Sequence, residues 1–251
     1  MSENRPFVLT IAGFDPSAGA GILADIKTFE QLKTYGIAIP TAYTIQTENQ
    51  FIEMEWVTIE KVVFQIELFL KAYTIKAIKI GIVSSLSDLK FIIQKIRSID
   101  SKVPIIWDTV LKSTTEFSFL EIKNQKDLEV ILQSIQLITP NHDEVLKLIP
   151  NAISVEDNLN YLRNYTAVLW KGGHSNEAKG TDILLTENNE IILQPILKNC
   201  SEKHGSGCVL SSAIVAHLSL GENLEEACRK AKLYTEKILQ SNTLKLAYHH
   251  V

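Results

Sequence analysis

The sequence predicts an α/β fold, a mostly parallel sheet covered by helices on both faces in three αβα layers. Two observations predict it. Short β-rich runs alternate with longer runs of apolar residues at helical spacing, which is the pattern of βαβ units. A chain of 251 residues that is 45% apolar and 22% charged can also bury the large core such a sheet needs. No repeat, low-complexity tract or linker divides the chain, so residues 1–251 are expected to form a single domain.

The elements follow in order. "FVLTIAG", Phe7 to Gly13, reads as a buried strand. "GILADIKTFEQLKTYG" reads as a helix with Ile22, Ile26, Phe29 and Leu32 on one face and Gly36 as its stop. "IAIPTAYTIQ" is extended. "TIEKVVFQIELFLKAY" is a helix with Thr58 as its cap. "AIKIG" and "PIIWD" are strands on either side of the helix "LSDLKFIIQKIRSI". "LQSIQLITP" leaves a helix and enters a strand, and "NHDEVLKLI" begins a helix capped by Asn141. "AVLWKGG" is a strand, and "DILLTENNEIILQP" is a hairpin turning at Asn188-Asn189. Helices from Ser206 to about Leu220 and from Leu224 to about Gln240 close the chain.

Composition narrows the function. A net charge of −4 gives no basic face for nucleic acid or an anionic membrane. No apolar run approaches the roughly 18 residues that span a bilayer, and the N-terminus has no secretory h-region. The three cysteines, Cys200, Cys208 and Cys228, have neither disulfide nor zinc spacing, which fits a cytoplasmic protein with reduced thiols.

In parallel sheets ligands sit beyond the carboxyl ends of the strands, so the polar residues there matter most. "AGFDPSAGAG" opens the first helix. Its Gly19-Ala20-Gly21 could pass for a dinucleotide fingerprint, although the glycines come late and no acid ends the second strand. A flexible loop with a helix start reads equally well, with Asp25 a favourable charge near the helix start. Gln46 ends a strand and carries the donor and acceptors that suit a heterocycle edge. Asp108 ends "PIIWD", where a metal, a cation or a proton could be handled. Asn141 and Glu144 share a helical face and could hold Mg²⁺-bound water; taken alone, a cap with an acidic first turn explains them better. Lys171 in "WKGGH" could neutralise a phosphate, or belong to a structural turn.

"HGSGC" ends the series. Small residues at a helix start leave unpaired N–H groups open to an anion, so Gly205, Ser206, Gly207 and Cys208 form an oxyanion or phosphate cradle. The same field is expected to lower the Cys208 thiol toward thiolate. Cys228, among Ala227 and Ala231, reads as core. Two acids, a lysine, a glutamine and an anion cradle at successive strand ends suit phosphoryl transfer, and there is no Walker motif or protein-kinase signature.

The blocks "TIAGFDPSAGAGILADIKTF", "IQTEN", "IKIGI", "LITPNHDEV", "LWKGGH" and "HGSGC" occur in an order that resembles the hydroxymethylpyrimidine/phosphomethylpyrimidine kinases of thiamine biosynthesis, within the ribokinase-like superfamily. The resemblance covers nearly the whole chain and implies a ribokinase-like fold. It implies an enzyme that uses ATP and Mg²⁺ to phosphorylate 4-amino-5-hydroxymethyl-2-methylpyrimidine and then its monophosphate, and that forms a homodimer. Carried over by position, it implies that Asp25, Gln46 and backbone near Gly13 and Gly81 contact the pyrimidine. Gly205, Ser206, Gly207 and Cys208 would form the anion hole, with Cys208 where most superfamily relatives have an aspartate base. Asp108, Asn141 and Glu144 match the Mg²⁺–phosphate region and Lys171 the nucleotide phosphates, while Ala231 and Tyr234 border the adenine. Departures are Ala18 for Gly, Phe14 for a small polar residue, Ile82 for Met, Thr109 for Pro and Leu111 for Met. They open a rival, a pyridoxal kinase. A dinucleotide-dependent oxidoreductase and a non-catalytic pyrimidine-binding protein complete the functions these residues allow. The stretches Ile82 to Leu86 and Leu111 to Phe119 are candidate lids.

Overall fold

The computed structural model describes residues 4–112, 118–150, 154–172 and 180–251. Among them, nine strands form one sheet: β1 (Phe7–Phe14), β2 (Tyr35–Gln46), β3 (Phe51–Trp56), β4 (Ile75–Ile80), β5 (Ile105–Trp107), β6 (Leu137–Ile138), β7 (Ala167–Trp170), β8 (Asp182–Leu185) and β9 (Glu190–Leu193). Their order is β3-β2-β1-β4-β5-β6-β7-β8-β9. In that order the six from β2 to β7 pair in parallel, and β3, β8 and β9 are antiparallel additions at the two edges. The helices are α1 (Gly21–Gln31), α2 (Ile59–Ala72), α3 (Leu86–Ile99), α4 (Gln125–Leu132), α5 (His142–Leu148), α6 (Val155–Arg163), α7 (Ser206–Ser219) and α8 (Leu224–Gln240).

Successive strand residues feed opposite faces, as strand pleating requires. Leu9, Ile11, Ile78, Ile80, Trp107 and Val168 pack with Ile66, Leu89, Leu128, Leu148 and Leu162, from α2 to α6. Val8, Ala77, Ile106, Leu137 and Leu169 pack with Phe29, Ile214, Ala227 and Ile238, from α1, α7 and α8. This is the predicted three-layer α/β fold. Cys228 is wholly buried in the second core, as its neighbours imply. No helix among the described residues is long and apolar enough to cross a membrane.

Some local readings change. The first helix stops at Gln31, and Lys33, at φ 61°, makes the left-handed turn assigned to Gly36, which lies inside β2. Thr58 occupies the cap position of α2 without a side-chain hydrogen bond. Strand β3 and helix α6 are additions to the predicted set. The hairpin turn is confirmed by Thr186 N–H donating to Asn189 O at 2.9 Å.

The chain runs from β1 outward to β2 and β3, then returns to β4 on the other side of β1. That reversal opens a crevice beyond the carboxyl ends of β1 and β4, where α/β sheets bind ligands.

Candidate active site

A cleft of about 460 Å³ occupies that crevice. Each central strand contributes to it at or just past its carboxyl end: Gly13 from β1, Gln46 from β2, Gly81 after β4, Asp108 after β5, Asn141 after β6 and Lys171 after β7. Gly205, Ser206, Gly207 and Cys208 complete the lining from the start of α7, and Glu144 from the first turn of α5. Residues far apart in the sequence meet because a parallel sheet aligns its strand ends.

Three predicted residues, Asp25, Ala231 and Tyr234, do not line the cleft. Asp25 lies on the packed side of α1, fully buried, and its carboxylate accepts from three protein donors. Thr10 Oγ1 and Ser212 Oγ each donate to it at 2.6 Å, and Lys79 Nζ donates to Oδ1. In this structure it is an internal counterion, not an exposed helix-start charge. Ala231 is likewise fully buried, in the core between α8 and the sheet.

Lys79 is the residue that sequence reasoning missed. Burial acts against its charge, but the carboxylates of Asp25 and Asp108 outweigh that and hold it as an ammonium. It also donates to Cys208 O at 3.3 Å and so ties the first turn of α7 to β4. A lysine inside the otherwise apolar run "AIKIG" was the available signal, since a buried cation needs an acid beside it.

Asp108 is fully buried, yet its carboxyl is held below the usual range. Burial opposes that shift, and Lys171, Lys79, Thr139 and Ser211 overcome it. Thr139 Oγ1 donates to Oδ1 at 2.9 Å and Ser211 Oγ to Oδ2 at 3.0 Å. Lys171 Nζ stands 3.5 Å from Asp108 Oδ1 and 3.6 Å from Glu144 Oε2. Burial pushes the Glu144 carboxyl up, against the pull of Lys171. Asn141 and Glu144 do form a capping box: Asn141 N–H donates to Glu144 Oε2 at 2.8 Å and Glu144 N–H to Asn141 Oδ1 at 2.9 Å. Thr109, where the resembled family carries proline, adds a hydroxyl donor to Glu144 Oε2 at 3.3 Å. Glu144 Oε1 lies outside all these bonds.

The anion cradle has a specific backbone requirement. Gly205 has φ 74°, and a Cβ there would come within 2.1 Å of Gly19 O. The two glycine-rich loops therefore touch directly. Asp15 pins the contact, accepting from Ala20 N–H at 2.9 Å and facing His204 Nε2 at 2.9 Å. His204 thus pairs with Asp15, not with the cysteine. A Cβ at Gly207 would meet Lys171 Nζ at 3.5 Å, so the ammonium points at the open space over the cradle.

Cys208 departs from expectation. Its thiol is pushed up to about 11: burial dominates, and Asp108 and Asp25 add to it, while Lys79 and the Gly21 backbone pull the other way. The helix-start field does not produce a thiolate, because burial outweighs it, with Asp108 and Asp25 adding to the rise against Lys79.

Of the candidate lids, Ile82 lines the cleft and its carbonyl accepts from Thr41 Oγ1 at 2.7 Å. In the second stretch, residues 113–117 lie outside the described residues, as does Gly173 of "WKGGH". Among the described residues, no three His, Cys, Asp or Glu side chains cluster as a metal site.

Comparison with known proteins gives a consistent result. The family profile described as phosphomethylpyrimidine kinase matches residues 15–251. A hydroxymethylpyrimidine/phosphomethylpyrimidine kinase of Salmonella typhimurium is 32% identical, over 95% of this chain and 92% of that protein. A bifunctional thiamine biosynthesis protein of Methanocaldococcus jannaschii is 33% identical over 96% of this chain, which spans 55% of that protein's length. Among solved structures, the phosphomethylpyrimidine kinase of Clostridium difficile 630 superposes with a TM-score of 0.76 at 30% identity, covering 93% of this chain and 99% of that one. A pyridoxal kinase of Staphylococcus aureus, solved with pyridoxal, gives a TM-score of 0.82 at 25% identity, covering 98% and 94%.

Proposed function

This chain belongs to the phosphomethylpyrimidine kinase family, and from that premise we propose that it transfers the γ-phosphoryl group of ATP to 4-amino-5-hydroxymethyl-2-methylpyrimidine and then to the monophosphate, in thiamine biosynthesis. It does so as a single cytoplasmic ribokinase-like domain, residues 1–251, that pairs as a homodimer. The observation that carries the reading is Lys171, held between Asp108 and Glu144 at 3.5 and 3.6 Å and aimed into the space over Gly207.

The residues present suit the reaction. Phosphoryl transfer asks mainly for positioning and charge neutralisation. Lys171 meets the phosphates, and the N–H groups of Gly205, Gly207 and Cys208 face the transferring oxygens, with Ser206, whose N–H donates to Lys203 O at 3.4 Å, between them in the loop. Gln46, with backbone at Gly13 and Gly81, orients the heterocycle. The donor set fits Mg²⁺ in its usual form, which uses one or two carboxylates and the substrate's phosphates. Glu144 would hold it through Oε1, and Asn141 lies beside it. Asp108, both of whose oxygens already accept protein donors, would supply charge. When bound, Mg²⁺ neutralises the β- and γ-phosphoryl oxygens. Cys208, a thiol at neutral pH, positions the hydroxymethyl group. A loose transition state makes the attacking oxygen acidic only late, so no strong base is required and its proton passes to an oxygen of the transferred phosphoryl group.

Pyridoxal kinase is the second reading, favoured by the superposition on the Staphylococcus aureus enzyme. One assay separates them: ATP consumption with the hydroxymethylpyrimidine, its monophosphate and pyridoxal offered side by side. Turnover of both pyrimidines ahead of pyridoxal is expected. Turnover of pyridoxal alone would overturn the pyrimidine assignment, and light scattering tests the dimer.

A further inference from the structure

Lys171 owes its direction to its backbone neighbours. Its own N–H donates to Pro140 O at 2.9 Å, which fixes one side. On the other side, the N–H of Gly172 donates to Asp182 Oδ1 at 3.0 Å. The approach there is close: a Cβ on Gly172 would stand 1.8 Å from Thr181 O, so only glycine fits. Asp182 is itself held. Its other oxygen, Oδ2, accepts from Lys232 Nζ of α8 at 2.9 Å, and the same ammonium donates to Gly180 O. Glu236, one turn further along α8, stands 3.4 Å from Lys232 and accepts from the N–H groups of Ile196 and Leu197 at 2.9 and 2.8 Å. Asp182, Lys232 and Glu236 are all more than nine-tenths buried, and none lines the cleft.

Three buried ionisable groups of this kind are expensive to bring together, and an apolar cluster of equal volume is often at least as stable. Their arrangement ends on the peptide bond that follows Lys171. From this we propose that Asp182 and Lys232 are positioning residues for the phosphoryl-transfer site: they act through the Gly172 N–H to hold the Lys171 ammonium over the cradle, without touching substrate. This rests on Lys171 acting on the phosphates, as described above.

The test is a double-mutant comparison at a temperature well below every variant's melting point, so that only folded protein is measured. Asp182→Asn and Lys232→Met are each expected to lower kcat/KM about tenfold, and Lys232→Arg to stay within about threefold of the parent chain. In a Lys171→Met background, Asp182→Asn is expected to change kcat/KM less than about twofold, because the group it positions is gone. A role confined to stability would lower the melting temperature and leave the kinetics of folded protein unchanged, which would overturn the inference. Equal losses in both backgrounds would overturn it too. If Lys171→Met alone kept parental kinetics, the site reading would fail first and this inference with it. Should Lys232→Met not fold, Asp182→Asn and Lys232→Arg answer the same question.

Discussion

Two buried places among the described residues set one lysine between two acids, and they are built differently. Lys171 stands 3.5 and 3.6 Å from Asp108 and Glu144, and its side chain is 15% exposed to the cleft. Lys232 stands 2.9 and 3.4 Å from Asp182 and Glu236, is 7% exposed, and also holds Gly180 O. Residue types alone make the two equivalent. What separates them is slack. The Lys171 ammonium has loose contacts and open space over Gly207, so an anion can approach it from the cleft side. The Lys232 ammonium is spent on protein acceptors. Lys79 with Asp25 extends the lesson: an ion pair beneath the cleft whose carboxylate takes three buried donors is framework. An open charge can meet a ligand directly, and a closed one acts only through the protein groups it holds.

The largest effect should come from breaking a closed centre. Asp25→Leu leaves Lys79 charged and unpaired in the core, and is expected to cost about 3–5 kcal/mol in urea unfolding, with part regained in Asp25→Leu/Lys79→Met. Next is the cradle of the open centre. Gly205→Val forces a side chain into Gly19 O at φ 74°, and turnover should fall about 10²–10³-fold. A smaller effect belongs to His249, packed near Tyr234 and Thr28, whose pKa burial lowers to about 4. The unfolded chain binds that proton near the ordinary 6.5 and the folded chain does not. Stability from neutral His249 is therefore complete above 6.5 and is lost as the pH falls toward 4, by about 2 kcal/mol after solvent screening. Thermal melts of His249→Phe across that window should show a flatter pH dependence. The smallest change is at the rim: Ala18 has φ 57°, a strained angle for alanine, and Ala18→Gly should stabilise by about 1 kcal/mol without altering turnover.

The sheet was legible because its strands are short apolar runs between periodic helices, and the cleft because polar residues recur at their carboxyl ends. Strand β3, "FIEMEW", escaped because its two glutamates on an exposed edge dilute the apolar pattern. Helix α6 escaped because "VEDNLNYLR" shows few apolar residues, of which Leu159 and Leu162 do the packing. Asp25 was legible as a residue near the cleft but not as a buried one, because helical periodicity does not say which face meets a lysine 54 positions away. The Cys208 thiol was read from the helix start alone. Its rise comes first from burial and then from Asp108 and Asp25, and only the fold supplies either. The closed centre at Lys232 was unreadable for the same reason.

The measurement that bears most directly on the central claim is phosphoryl transfer from ATP to the hydroxymethylpyrimidine by Lys171→Met, followed by phosphorus NMR of the product. An open, phosphate-facing lysine predicts a rate at least about 100-fold below the parent chain, measured on folded protein well below the variant's melting temperature. A variant that makes the same phosphomonoester within about threefold of the parent rate would contradict it.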